Sequence, residues 1–156
     1  MSRKKINYAI GDCFLIPLRE GGFARGIIAR MNNKGSVFGY FFGPQLSQEK
    51  EFCLDGIEPS KAILIGKFGD LGLLKKEWKI KLNLAGFDLS QWPMPQFFRK
   101  DLVSEKAWLS KYDEESFKFL SETPTTKENE HYFPYDRDMG YGAVEIRLTH
   151  QLKQSE

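Results

Sequence analysis

Between Gly11 and Gly43 the chain reads GDCFLIPLREGGFARGIIARMNNKGSVFGYFFG, three short apolar runs separated by two glycine-bearing turns, and no other stretch restricts the fold as much. Cys13 to Leu18 is apolar throughout and too short for a helix, the pattern of a strand covered on both faces. Gly21-Gly22 is a hairpin signal ahead of the second run, Phe23 to Arg30. Asn32-Asn33-Lys34-Gly35 supplies a second turn: Asn tolerates the left-handed region and Gly35 enters it without a Cβ clash. Val37 to Phe42 then makes the third strand. Pro17 has no N–H to donate, so the first strand is an edge or its pairing breaks there. The expected fold is mainly β, of α+β type: a strongly bent antiparallel sheet or partial barrel with one or two short helices, the last at the C-terminus.

At 156 residues the chain fits one domain, 1–156, and thirteen Phe, six Tyr and three Trp give it ample core material. A charged content of 28% is ordinary for a globular protein, and neither a repeat nor a low-complexity tract is present. Met1 to Lys5 is basic like the start of a signal peptide, but the apolar stretch after it runs only from Ile6 to Ile10 and is interrupted by Asn7. No apolar run approaches the ~20 residues of a membrane span. Two cysteines make no disulfide framework, so the expected setting is the reducing cytoplasm, with no membrane partner, residues 1–10 as a flexible start, and Cys13 packed as a small apolar side chain. The charge is polarised: residues 1–100 carry 16 Lys and Arg against 9 Asp and Glu, residues 101–156 carry 7 against 12. Mutual attraction of the two halves in the fold explains this more simply than two partner surfaces do.

Beyond the three strands, Gln45 to Glu58 reads as a polar loop and Ala62 to Ile65 as a fourth strand. Gly66, Gly69 and Gly72 follow at a spacing that fits no dinucleotide or nucleotide loop, so they are expected to form turns. Glu77 to Leu84 alternates, with Trp78, Ile80, Leu82 and Leu84 on one face and Lys79 and Lys81 on the other, as in a half-buried strand. Its lysines, with Lys75 and Lys76, could meet nucleic-acid phosphates, but Trp78 lies on the face opposite them and no stacking platform results. Lysines that discourage edge-to-edge pairing are the simpler reading. Lys106 to Tyr112 is a further strand. Asp113 is then expected to cap a short helix, with Glu114 and Glu115 in its first turn and Phe117 and Leu120 on its buried side. Ser121 to Asp138 has neither period and reads as a long loop. Val144, Leu148 and Leu152 give the closing amphipathic helix.

No constellation of residues stands out as catalytic. Cys53, His131 and Asp136 could be written as thiol, base and orienter, yet nothing around Cys53 marks a nucleophile. His131 and His150 are 19 residues apart, and no cysteine pair has ligand spacing. The expectation is a protein without catalytic residues, metal or cofactor.

Several short motifs belong together. Gly11-Asp12-x-Phe14-x-Ile16-Pro17-Leu18, Gly21 and Gly26, Gly69-Asp70 with Trp78, Pro95-x-Phe97-x-Arg99-x-Asp101 and the closing Gly140-Tyr141-Gly142-Ala143-Val144-Glu145 resemble the immunity protein 26 family of bacterial polymorphic-toxin systems. The likeness runs from about Gly11 to about Leu148. It implies a cytoplasmic, non-enzymatic protein that binds and neutralises a cognate toxin domain encoded beside it. It carries over neither a catalytic motif nor contact residues. The alternative reading is a small β-barrel that binds nucleic acid through the Lys75 to Lys81 edge. For a toxin partner, the aromatic and acidic cluster of Tyr132, Phe133, Tyr135, Asp136 and Asp138 is the expected contact. The competing explanation is that its aromatics tuck under the last helix as core.

Overall fold

Apolar side chains on both faces of the first hairpin require cover on both sides, and the hairpin accordingly lies inside the molecule. In the computed structural model, which describes residues 5–154, β1 (Asp12–Pro17), β2 (Phe23–Met31), β3 (Ser36–Leu46), β4 (Leu64–Gly69) and β5 (Lys79–Asn83) form one antiparallel sheet. Its order is β4-β3-β2-β1-β5, so β4 and β5 are its outer strands and no barrel closes. The β1–β2 turn uses Gly21 and Gly22. In the β2–β3 turn Asn33 has φ 62° and Gly35 φ 109°, while the Asn32 side chain accepts from the N–H groups of Lys34 and Ser36. β1 is an inner strand, but its pairing with β5 ends at Leu15, and Pro17 faces only Phe23 of β2. The missing donor sits where the ladder has already stopped.

Each face of this sheet carries its own core. On one face Phe14, Ile16, Ala24, Ile28, Phe41, Phe68 and Trp78 pack against Val144, Leu148 and Leu152 of the final helix, α2 (Tyr141–Gln154), which follows the much shorter α1 (Leu71–Leu74). The Phe14 and Trp78 rings stack at 5.5 Å, and Trp78 Nε1 donates to Glu145 Oε2 at 2.8 Å. Glu145 Oε1 in turn pairs with Arg19 at 3.1 Å, fastening α2 to the sheet. On the other face Cys13, Ile27, Ala29, Phe38, Tyr40 and Phe42 meet Trp92, Phe97 and Phe117. Cys13 behaves as the expected apolar residue, its thiol pushed up to about 12 by burial and the neighbouring Asp12. Two buried cations of β2 hold loops through backbone carbonyls. Arg25 donates to the carbonyls of Cys53, Asp55 and Gly43, and Arg30 to those of Glu114 and Ala29 as well as to the Glu114 carboxylate.

The second face is covered by a smaller antiparallel sheet of β6 (Phe97–Lys100), β7 (Ala107–Tyr112) and β8 (Phe119–Thr125), in order β6-β7-β8. Here several expectations need correcting. The helix expected after Asp113 is absent. Asp113 does cap, but its carboxylate accepts from Glu115 and Ser116 N–H in a tight turn that Phe117 leaves at φ 58°. Leu120 is then an exposed residue of β8. Residues 121–138 are not one loop, since 121–125 belong to β8 and Lys127–His131 form a 3-10 helix. Gly66 and Gly69 lie within β4, and Gly72 is in α1 beneath the Trp78 ring, so none of the three makes the turn anticipated for them. β3 continues through Gln45 and Leu46. Leu82 is exposed on β5, so the burial expected there is carried by Trp78 with help from Ile80 and Leu84. Of the start expected to be flexible, residues 1–4 fall outside the described ones, whereas Ile6, Tyr8 and Ile10 pack on the first core and Tyr8 OH donates to Asp70 at 2.7 Å.

Candidate functional site

The stretch dense in aromatics and acids, 130–139, links the two sheets. Phe98 N–H of β6 donates to Pro134 O at 2.7 Å and Asp136 N–H to Phe98 O at 2.8 Å, which adds a short parallel strand to the small sheet. Three residues on, Met139 N–H donates to Lys67 O and Gly69 N–H to Met139 O, both at 2.9 Å, along the free edge of β4. A segment without sequence period is thus held by backbone hydrogen bonds at both ends. The alternation of side chains in an extended chain then divides its residues between inside and outside.

Asp136 points inward. Its carboxylate pairs with Lys67 of β4 and accepts from Tyr112 OH at 2.6 Å, while the Lys67 ammonium also lies 4.5 Å from the centre of the Tyr112 ring and 5.2 Å from that of Phe97. The Lys67 and Asp136 side chains are only 8% and 9% exposed. Burial alone would push both groups toward neutrality. For Lys67 the hydrogen bonds to Asp136 and Tyr112 outweigh burial and hold the ammonium above the usual lysine range. For Asp136 the bonds from Lys67 and Tyr112 likewise outweigh burial and hold the carboxyl below its usual range. Burial and the bond to Asp136 raise the Tyr112 phenol.

Tyr132, 78% exposed, and Tyr135, 42% exposed, point outward. Phe133 is half-buried and Asp138 exposed, the latter accepting from Ser36 Oγ at 2.8 Å. None of Tyr132, Phe133 and Tyr135 lies in the core beneath α2, so the reading of this cluster as helix-covered core is not what the chain adopts. The Tyr135 ring packs edge-on against Phe98, its hydroxyl donates to Glu130 at 2.6 Å, and the Arg137 guanidinium lies 5.2 Å from its centre. Tyr135 and Arg137 form a ridge between two clefts. One is lined by residues including Gly66, His131, Phe133 and Arg147, the other by Phe98, Lys100 and Leu102. The five residues expected from the sequence are therefore neighbours with different roles, and Asp136 is the one that does not face solvent. Sequence reasoning did not find Lys67, Tyr112, Arg137, Arg147 or the tip residues Leu102 and Val103. A signal existed only for the last two, as adjacent apolar residues between Asp101 and Ser104.

The structure does not assemble a Cys53, His131, Asp136 triad. Cys53 is exposed beside Arg25 and Asp136 is held by Lys67 and Tyr112, while His131 lines the cleft beside Arg147. Among the described residues no group of three or more His, Cys, Asp or Glu is placed to hold a metal ion, and no helix is long and apolar enough to cross a membrane. At the Lys75 to Lys81 edge Trp78 is buried, Lys79 pairs with Glu49 at 2.9 Å, and Lys75 lies over the Tyr141 ring at 5.7 Å. That edge offers no exposed tryptophan for base stacking, and its strand belongs to an open sheet, not to a barrel.

A family model described as Immunity protein 26 matches residues 9–109. Comparison with curated proteins and with solved structures gave no match. The matched stretch holds both outer strands of the large sheet, the Phe14 and Trp78 stack, Lys67, β6 and the first half of β7, whereas segment 130–139 follows it in the chain.

Proposed function

Because the chain belongs to the Immunity protein 26 family, we propose that it binds and neutralises a cognate bacterial toxin domain in the cytoplasm, without catalysing a reaction, and that segment 130–139 makes the contact. The observation that carries this choice of surface is that the segment is hydrogen-bonded to β6 and β4 while Tyr132 and Tyr135 stand out from it. An ordered backbone loses little conformational freedom when a partner docks, and tyrosines combine a large apolar face with a polar tip. Phe133 and Asp138 flank these anchors. Asp136 acts as a positioning residue that seats the segment through Lys67.

The test uses the toxin domain encoded beside the chain. Co-expression should protect cells from it, and the purified pair should bind. Tyr132→Ala and Tyr135→Ala together should weaken binding by roughly tenfold or more, as expected for aromatic anchors, with the thermal midpoint preserved. Unchanged affinity, or a domain unfolded by Tyr135→Ala, would place the contact elsewhere.

A further inference from the structure

We infer that the surface recognised on the toxin is acidic, and that one of its carboxylates enters the cleft between Arg137 and Arg147. This rests on the toxin-binding reading above and adds the sign and geometry of the contact. Both arginines are exposed and line one cleft, and neither has an ion-pair partner among the described residues. Arg137 lies against the Tyr135 ring, and Arg147 approaches Met139 Sδ at 4.0 Å. The hydrogen bond to Glu130 raises the Tyr135 phenol, and both arginines oppose that push.

The carboxylates nearby are already engaged. Glu130, the one acid lining this cleft, accepts from Tyr135 OH and pairs with Lys100 at 3.6 Å; Asp136 is turned to Lys67 and Asp138 to Ser36. The cleft is left with two uncompensated guanidinium groups, each a planar fork suited to a carboxylate. Leu64, Gly66, Phe133 and Met139 give it apolar walls, which strengthen an ion pair formed inside it. An acidic toxin surface is therefore the complement.

An apolar anchor stands across the Tyr135–Arg137 ridge. Leu102 and Val103, at the tip of the β6–β7 hairpin, are 85% and 95% exposed, and Leu102 lines the second cleft. Their exposure is built in: Asp101 Oδ1 accepts from Val103 N–H at 2.9 Å, and Asp101 and Lys106 close the turn at 2.8 Å. An apolar tip beside a cationic cleft suits a folded protein surface with a recess and a rim of acids. A nucleic acid fits less well, since a polyanion needs a row of cations along its backbone, and Glu128 and Glu130 interrupt any such row.

The decisive measurement is association of the neighbouring toxin domain with wild type, with the Arg137→Glu, Arg147→Glu double variant, and with an Arg137→Gln, Arg147→Gln control that removes charge without reversing it. Wild-type association should slow as salt rises from about 50 to about 500 mM. The Gln pair should lose affinity and most of that salt dependence, and the Glu pair should lose roughly tenfold more. Unchanged affinity in both variants, or faster association of the Glu pair, would overturn the inference while leaving toxin binding intact. Competition by a single-stranded oligonucleotide for the same cleft would also overturn it, in favour of nucleic acid. A wild-type protein that neither binds the toxin domain nor protects cells would sink the underlying reading as well.

Discussion

Lys67 and Asp136 are the pair on which the candidate surface depends, and their burial sets the energetics. Removing one partner leaves the other charge desolvated and alone, which typically costs about 3–5 kcal/mol, whereas replacing both by apolar groups costs far less. Asp136→Leu and Lys67→Met should therefore each lower the free energy of unfolding in urea by about that amount, and the double variant by much less than their sum. The pH dependence follows from the directions of the shifts. The Asp136 carboxyl is held below its ordinary 3.8, so its contribution is present above that value and disappears as pH falls through the folded pKa. The Lys67 ammonium is held above its ordinary 10.5, so its contribution is present below that value and disappears as pH rises through the folded pKa; the raised Tyr112 phenol, ordinarily 10.0, acts in the same sense. The stability difference between wild type and the double variant should be flat at neutral pH and decline at both extremes. A second residue-scale test concerns Gly35, whose φ of 109° a β-branched side chain adopts only under strain. Gly35→Val should cost about 1 kcal/mol or more, and an unchanged melting temperature would contradict this account of the turn.

Among the elements, α2 is the one whose role was plainest in advance. Val144, Leu148 and Leu152 recur at helical spacing and are all buried against the large sheet. Leu148→Ala should open a cavity there and lower stability by about 2–5 kcal/mol, measured by denaturant unfolding. β1 to β3 were equally legible, because apolar runs bounded by Gly and Asn turns have few other solutions. The β7–β8 hairpin was not. Asp113-Glu114-Glu115 has the chemistry of a helix start, and a tight turn uses the same carboxylate for the same purpose, accepting from N–H groups two and three residues on. β8 then gives no corrective signal, since none of its residues is buried and alternation has nothing to report. Of the β4 glycines, Gly66 lies close under Met139, whose Cε would stand 3.0 Å from a Cβ there, and that neighbour is remote in sequence. The candidate surface was legible as a dense cluster but not as a direction, because the inward turn of Asp136 depends on Lys67, 69 residues away.

Taken whole, the molecule uses both faces of its main sheet for its own cohesion, one under α2 and one under the small sheet. Any partner is left the edges, the tips and the segment that joins the sheets. The chemistry can be tested as well: among the described residues Cys53 has neither base nor orienter and no metal-binding group of His, Cys, Asp or Glu is present, and the expected outcome is no stoichiometric zinc by elemental analysis and no hydrolase activity abolished by Cys53→Ala. The Lys67 and Asp136 contact has a further consequence, which concerns heritable change. It works as a socket and plug, with the socket built into β4, an outer strand of the large sheet, and the plug a single carboxylate on a later piece of chain. The residues on either side of the plug, Tyr135 and Arg137, are exposed and take no part in the Lys67 ion pair. If this segment makes the proposed toxin contact, a lineage facing a changing toxin can rewrite those exposed residues while the Lys67 and Asp136 pair is kept.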